Sequence, residues 1–271
     1  MSRRQVLALT VAALALWQVT IALLGGAGLL PGLDMAVISD RYDSWVVPAG
    51  YAFSIWGLIY LSSLILGVYQ ALPSHRDEPA LIGLRSPLAV AFALNGTWIL
   101  LFMNERFVAA QTVIIVLTGA LALAYLRLAR EGRPTSRRQR WIVYTPVGLY
   151  LGWATVATAA GLTTTLLAVG VTELWLATAV WAVLVLLAAG TVTSLITLWG
   201  PPEPGFPLAV IWAFLAIAVG QGPARAAVAL TALLLAGATL LAFGWREHRW
   251  HTRGGALASP TAPHAAPAAS R

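Results

Sequence analysis

Three stretches of the chain carry aromatic residues at spacings that make recognition surfaces. In 48–60, Tyr51, Phe53, Trp56 and Tyr60 crowd the start of an apolar run. Trp56 and Tyr60 are four apart, so on a helix they share a face. In 94–102, Asn95 stands one turn before Trp98, and Phe102 follows four residues later. A mid-helix amide in an apolar run is costly without a partner. In 149–158, Trp153 and Ala157 share a face, followed by Thr158, and the small Ala157 leaves room beside the indole. Gly148 and Gly152 form a G-x-x-x-G pair, which lets another helix approach closely. Singly, each stripe is what ordinary helix packing uses. Together on three helices they could wall a flat cavity for a planar, largely apolar ligand, held by stacking and edge contacts.

Other chemistry lacks its parts. There is no H-E-x-x-H, no G-x-S-x-G, no phosphate-binding loop and no Cys. His75, His248, His251 and His264 fall in loops or near the C-terminus, so no metal site is expected. No carboxylate pair falls inside an apolar run, which removes a proton relay. Glu173 is the one acid read as lying near a span, and in a first helical turn it would favour the helix dipole. No catalytic residue and no enzymatic activity are expected.

The elements that must position these stripes are membrane helices. The 271 residues are 59% hydrophobic and 10% charged, against about 25% charge in an ordinary soluble domain. A span needs about 20 apolar residues. Eight runs qualify or come close: 6–30, 51–72, 84–102, 107–128, 141–162, 172–199, the short 206–220, and 224–245. The first run is too long for a signal-peptide core of roughly 7–15 residues. The expected fold is all-α, a polytopic transmembrane bundle of about eight helices.

All 17 basic residues are Arg, and the net charge is +7. With the N-terminus in the cytoplasm, Arg3, Arg4, Arg76, Arg85, the run of six from Arg127 to Arg140, and Arg246, Arg249, Arg253 and Arg271 fall inside. Only Arg41, Arg106 and Arg225 fall outside. That bias follows the positive-inside rule and requires an even number of spans. It places both termini in the cytoplasm of a multi-pass cell-membrane protein, and it explains the positive charge without nucleic acid. The outer loop 31–50 carries Trp45, Asp34, Asp40 and Asp43. The texture changes near Gly161, from aromatic clusters to Leu/Ala/Val runs. The expected division is a five-helix unit at 1–161, three additional helices at 162–250, and a disordered tail at 251–271. The 12 Trp divide similarly: interface belts take about half, three fall in the stripes, and Trp175, Trp181 and Trp212 have no assigned role.

The three stripes resemble the TspO/MBR family, the tryptophan-rich sensory or translocator proteins. The family's second helix reads approximately P-P-x-W-x-F-x-x-x-W-x-x-L-Y, and Pro48, Phe53, Trp56 and Tyr60 are similar to it, with Tyr51 standing near a family Trp. Its third helix, L-N-x-x-W-x-x-x-F-F, is matched by Leu94, Asn95, Trp98 and Phe102. Its fifth, P-Y-L-x-W-x-x-F-A-T-x-x-N, is matched by Tyr150, Leu151, Trp153, Ala157 and Thr158. Met103, Leu149, Val156 and Gly161 depart from the pattern. The family's usual proteins stop after five helices, so the last three have no counterpart in it.

The resemblance implies a helical bundle that binds a porphyrin or related tetrapyrrole, with the loop between the first two helices covering the pocket. No cofactor is required. The implied ligand-binding set is Trp45, Tyr51, Phe53, Trp56, Tyr60, Asn95, Trp98, Phe102, Trp153, Ala157 and Thr158. Expected partners are membrane lipid and a small hydrophobic ligand, with a homodimer left open. Three other functions stay in view: a small-molecule transporter without tetrapyrrole specificity, an intramembrane enzyme, and a partner-binding membrane subunit.

Overall fold

The computed structural model describes residues 2–33, 37–38, 41–42, 44–171 and 177–255. Eight long helices account for most of them: α1 (Arg3–Gly26), α2 (Ile55–Ala71), α3 (Pro79–Met103), α4 (Phe107–Glu131), α5 (Thr145–Ala168), α6 (Thr178–Trp199), α7 (Gly205–Gln221) and α8 (Ala226–Gly255). All but α7 are long and apolar enough to cross a membrane, α2 only together with the 3-10 turn Gly50–Ser54 that leads into it. Local chemistry sets several ends. The Ser2 hydroxyl caps α1 by accepting from the Gln5 amide. Pro79 opens α3, where a missing N–H is harmless. Before α5 the chain winds as a π-turn, Arg140–Tyr144, with the Thr145 amide bonded to the Arg140 carbonyl. Pro146 just beyond has no N–H to donate back, and the wider turn absorbs that loss.

The helices pack as a sequence of neighbours. α2 lies on α1, α1 on α3, α3 on α4 and α4 on α5, and a lighter contact between α5 and α2 closes a five-helix ring. α7 then packs along α5 and against the 3-10 turn Gly50–Ser54 that precedes α2. α8 packs on α7, and α6 on α8. Gly96 in α3 lets the Trp17 indole of α1 lie against its backbone. Outward faces are as apolar as the core, with Leu23, Leu234 and Leu241 exposed. Only lipid is a suitable solvent for such a surface, and the chain is a multi-pass membrane protein.

α7 has only 17 residues, yet it runs the full depth of the bundle. Its first residue, Gly205, abuts the start of α5 at Thr145 and Leu149. Its last residue, Gln221, reaches the loop at Ser44 and Val47 on the opposite face. Between them Phe206, Val210, Ala213, Phe214 and Ile217 are fully buried, so one face of this helix is packed in protein, while Leu208, Leu215 and Val219 form its exposed face.

One boundary differs from the sequence expectation. α8 continues to Gly255, five residues into the stretch expected to be a disordered tail. Pro207 lies in the first turn of α7, where a missing N–H is harmless. Asp34, Asp40, Asp43, Glu173, Trp175, His264 and the tail from 256 onward lie outside the described residues.

Candidate functional site

Helical spacing brings the stripes together as rings in contact. Trp56 stacks on Tyr60 with centroids 5.3 Å apart, and Trp98 on Phe102 at 5.2 Å. Those are the i, i+4 pairs. Between helices, Trp56 lies 5.9 Å from Trp98 and meets the edge of Trp153 at 6.1 Å. Phe53 closes on Trp153 edge-on at 6.2 Å. These distances are those of offset and T-shaped aromatic pairs.

The rings enclose a cavity of about 60 Å³. α2 supplies Trp56 and the turn before it Phe53. α3 supplies Trp98 and Phe102, and α5 supplies Trp153, Ala157, Ala160 and Thr164. Val47 and Pro48 of the preceding loop form the remaining wall. On the other side of Trp56 lies a second cavity of about 160 Å³, lined by Gly25 and Gly26 of α1, Tyr60, Ile99 and Met103. Trp56 lines both. The indole N–H groups of Trp56 and Trp153 are buried without a hydrogen-bond partner, as is the Asn95 carbonyl oxygen.

Six of the eleven residues expected at the site therefore line one cavity: Phe53, Trp56, Trp98, Phe102, Trp153 and Ala157. The other five are placed elsewhere. Tyr60 faces the second cavity, and Asn95 supports it through a long bond, its amide donating to the Tyr60 hydroxyl at 3.4 Å. The Thr158 hydroxyl turns to Thr118 of α4 at 2.9 Å. Tyr51 is half exposed and meets the edge of Trp212 in α7. Trp45 lies on the far side of the loop, with the Arg225 guanidinium 4.7 Å over its ring, against a cavity of about 320 Å³ between α5 and α6.

The Gly148/Gly152 pair admits α7. A Cβ on Gly152 would sit 2.6 Å from the Phe206 carbonyl oxygen, and one on Gly148 would strike the Glu203 carboxylate. That carboxylate corrects the expectation that Glu173 is the one acid near a span. Glu203 is fully buried in the α6–α7 loop. Its Oε1 accepts from the Tyr125 hydroxyl at 3.0 Å and the Phe206 amide at 3.1 Å, and its Oε2 from the Gly205 amide at 2.5 Å. It thus closes the first turn of α7, where a carboxylate suits the helix dipole. Arg246 of α8, also buried, donates to the Glu203 and Thr197 carbonyls. Burial pushes the Glu203 carboxyl up to about 7, against the opposing pull of Arg246 and the donors on it. The acid followed by Pro204-Gly205 was the available sequence signal, since it reads as a helix start. Nothing local pointed to Tyr125 or Arg246.

A family model described as "TSPO-like protein" matches residues 6–245, which includes α6, α7 and most of α8. No curated protein and no solved structure matches the chain.

Proposed function

The chain belongs to the TSPO-like protein family, and from that premise we propose that it binds a planar hydrophobic ligand, a porphyrin or related tetrapyrrole, for sensing. The observation that carries this reading is the aromatic cavity. Rings from α2, α3 and α5 converge on one space, and two of them offer indole N–H groups with no protein partner. Stacking takes the flat face of a ligand, and the N–H groups take an acceptor on it. At about 60 Å³ the cavity is far below the roughly 300–1,000 Å³ of ordinary ligand pockets. The second cavity, about 160 Å³, does not bring the space into that range even when joined to the first, so binding a tetrapyrrole requires the helices bearing these rings to move apart. The five-helix ring holds the ligand, α6–α8 brace it, and no catalytic step is assigned.

Titration of the detergent-purified protein with protoporphyrin IX tests this. Saturable quenching of Trp fluorescence at micromolar concentration is expected, with a smaller amplitude in Trp56→Phe. Quenching that never saturates would refute the reading.

Transport without tetrapyrrole specificity is the second reading, favoured by the two cavities on either side of a single side chain. Flux of the porphyrin into proteoliposomes separates it from binding alone. The Arg distribution supports a cell-membrane location with both termini cytoplasmic. A C-terminal reporter active only in the periplasm would overturn that orientation.

A further inference from the structure

The loop wall of the aromatic cavity is held from outside the five-helix ring. The carboxyl end of α7 makes four separate attachments to it. The Gln221 side-chain amide donates to the Val47 carbonyl at 2.8 Å and to the Ser44 carbonyl at 3.3 Å. The Ala49 amide donates to the Ala216 carbonyl at 2.9 Å. The Trp212 indole donates to the Ala52 carbonyl at 3.0 Å. These bonds fall on both sides of Val47 and Pro48, the loop residues that face the cavity.

The geometry around Gln221 fixes its direction. Arg225 donates to its Oε1 at 2.9 Å while lying over the Trp45 ring. The acceptor end of the amide is thereby occupied, and the donor end is turned to the two loop carbonyls. Gly220 allows the approach, since a Cβ there would lie 2.7 Å from the Ala49 nitrogen. α7 is itself held: Val210, Ala213, Phe214 and Ile217 on its inner face are fully buried, and its far end is fastened by Glu203. Ala52 and Val46 in the held segment are buried as well.

We propose that α7 is a clamp that holds segment 44–53 shut as a cavity wall, and that ligand exchange is limited by release of its Gln221 and Trp212 contacts. The second half of this proposal rests on the ligand-binding reading; the first half does not. It gives Trp212 and Gln221 positioning roles, acting on the ligand only through Val47, Pro48 and Phe53.

The chain has no Cys, so Ala52→Cys is a clean reporter for opening of the segment. Its labelling by a maleimide is measured in the full-length protein in detergent, alone and combined with Gln221→Ala or Trp212→Phe. Slow labelling is expected in the parent and about tenfold faster labelling in each combination, as the loss of one or two net hydrogen bonds implies. Stopped-flow quenching by protoporphyrin IX on the same variants should show association and dissociation both accelerated about tenfold, with the dissociation constant changed less than about threefold. Unchanged labelling in both combinations refutes the clamp. Faster labelling with unchanged porphyrin rates refutes its control of exchange. If the parent does not bind porphyrin, the ligand reading falls and the labelling alone decides the clamp. If Gln221→Ala lowers the thermal midpoint sharply, Trp212→Phe, which keeps the ring packing, decides.

Discussion

The Glu203 carboxylate and the indoles of the aromatic cavity are both buried polar groups, and they are buried in opposite ways. At the junction, each oxygen of the Glu203 carboxylate accepts from a donor on α7, and Tyr125 of α4 adds a third source. At the cavity, the indole N–H groups of Trp56 and Trp153 have no partner. A saturated buried carboxylate fastens helices, because removing any part leaves expensive unpaired groups behind. An unpartnered buried donor costs the resting fold its lost hydration, and it gains a bond when an acceptor arrives. The difference separates a region built to hold the molecule together from one with interactions in reserve. It also gives α6–α8 a physical task. They carry the fastening that keeps α7 in place along α5.

The largest effect expected of a substitution is at the fastening. Glu203→Ala unpairs the Tyr125 hydroxyl and two α7 amides, while Arg246 keeps its bond to the backbone carbonyl, and should cost about 3 kcal/mol or more, seen as a large drop in thermal midpoint in detergent. A loss under about 1 kcal/mol would erase the contrast between the regions. Gly152→Leu comes next. Its side chain must displace backbone of α7 at Phe206, and overpacking of this kind costs about 1–3 kcal/mol. The same melting experiment checks it, and a neutral result would mean that α7 is not seated on α5 as described.

A smaller effect distinguishes charge from packing at the junction. The Glu203 carboxyl is raised from 4.5 to about 7 by burial, so the folded chain holds its proton more tightly than the unfolded chain. Below the unfolded value both states are protonated and this site's stability is fully present. It falls as pH rises from about 4.5 to about 7, and changes little above that. The thermal midpoint of the parent minus that of Glu203→Gln should follow this curve. A difference independent of pH would show that the carboxyl is not titrating in that range.

The smallest stability effect belongs to the cavity. Trp153→Phe removes an N–H that has no partner, so its cost should stay near about 1 kcal/mol, from lost ring contacts alone. The dissociation constant for protoporphyrin IX should nonetheless rise severalfold. A stability loss matching that of Gly152→Leu would place Trp153 with the fastening and break the comparison from the other side.

Much of the bundle was legible without coordinates, for local reasons. Eight apolar runs give eight helices because a membrane leaves the backbone no other way to satisfy itself. The pairs Trp56 with Tyr60 and Trp98 with Phe102 stack as their spacing requires, because helical periodicity alone fixes them. The site list was only partly legible for the same reason. Thr158 is next to Ala157 in sequence, but one residue turns a helical side chain by about 100°, and it faces Thr118 instead of the cavity. Tyr51 and Trp45 sit in a turn and a loop, where no periodicity assigns a face.

What the sequence determined by itself is the class of solvent, the number of helices, the aromatic stripes and the presence of a face on α5 open to close approach. The tertiary structure alone decided which helix takes that face. It also brought Tyr125 to Glu203 across 78 positions and Gln221 to Val47 across 174. Apolar periodicity says that a helix face is buried but not against what, since lipid and protein satisfy a Leu or an Ala equally. Only polar pairs and glycine contacts distinguish the neighbours, and those are made between residues far apart in the chain.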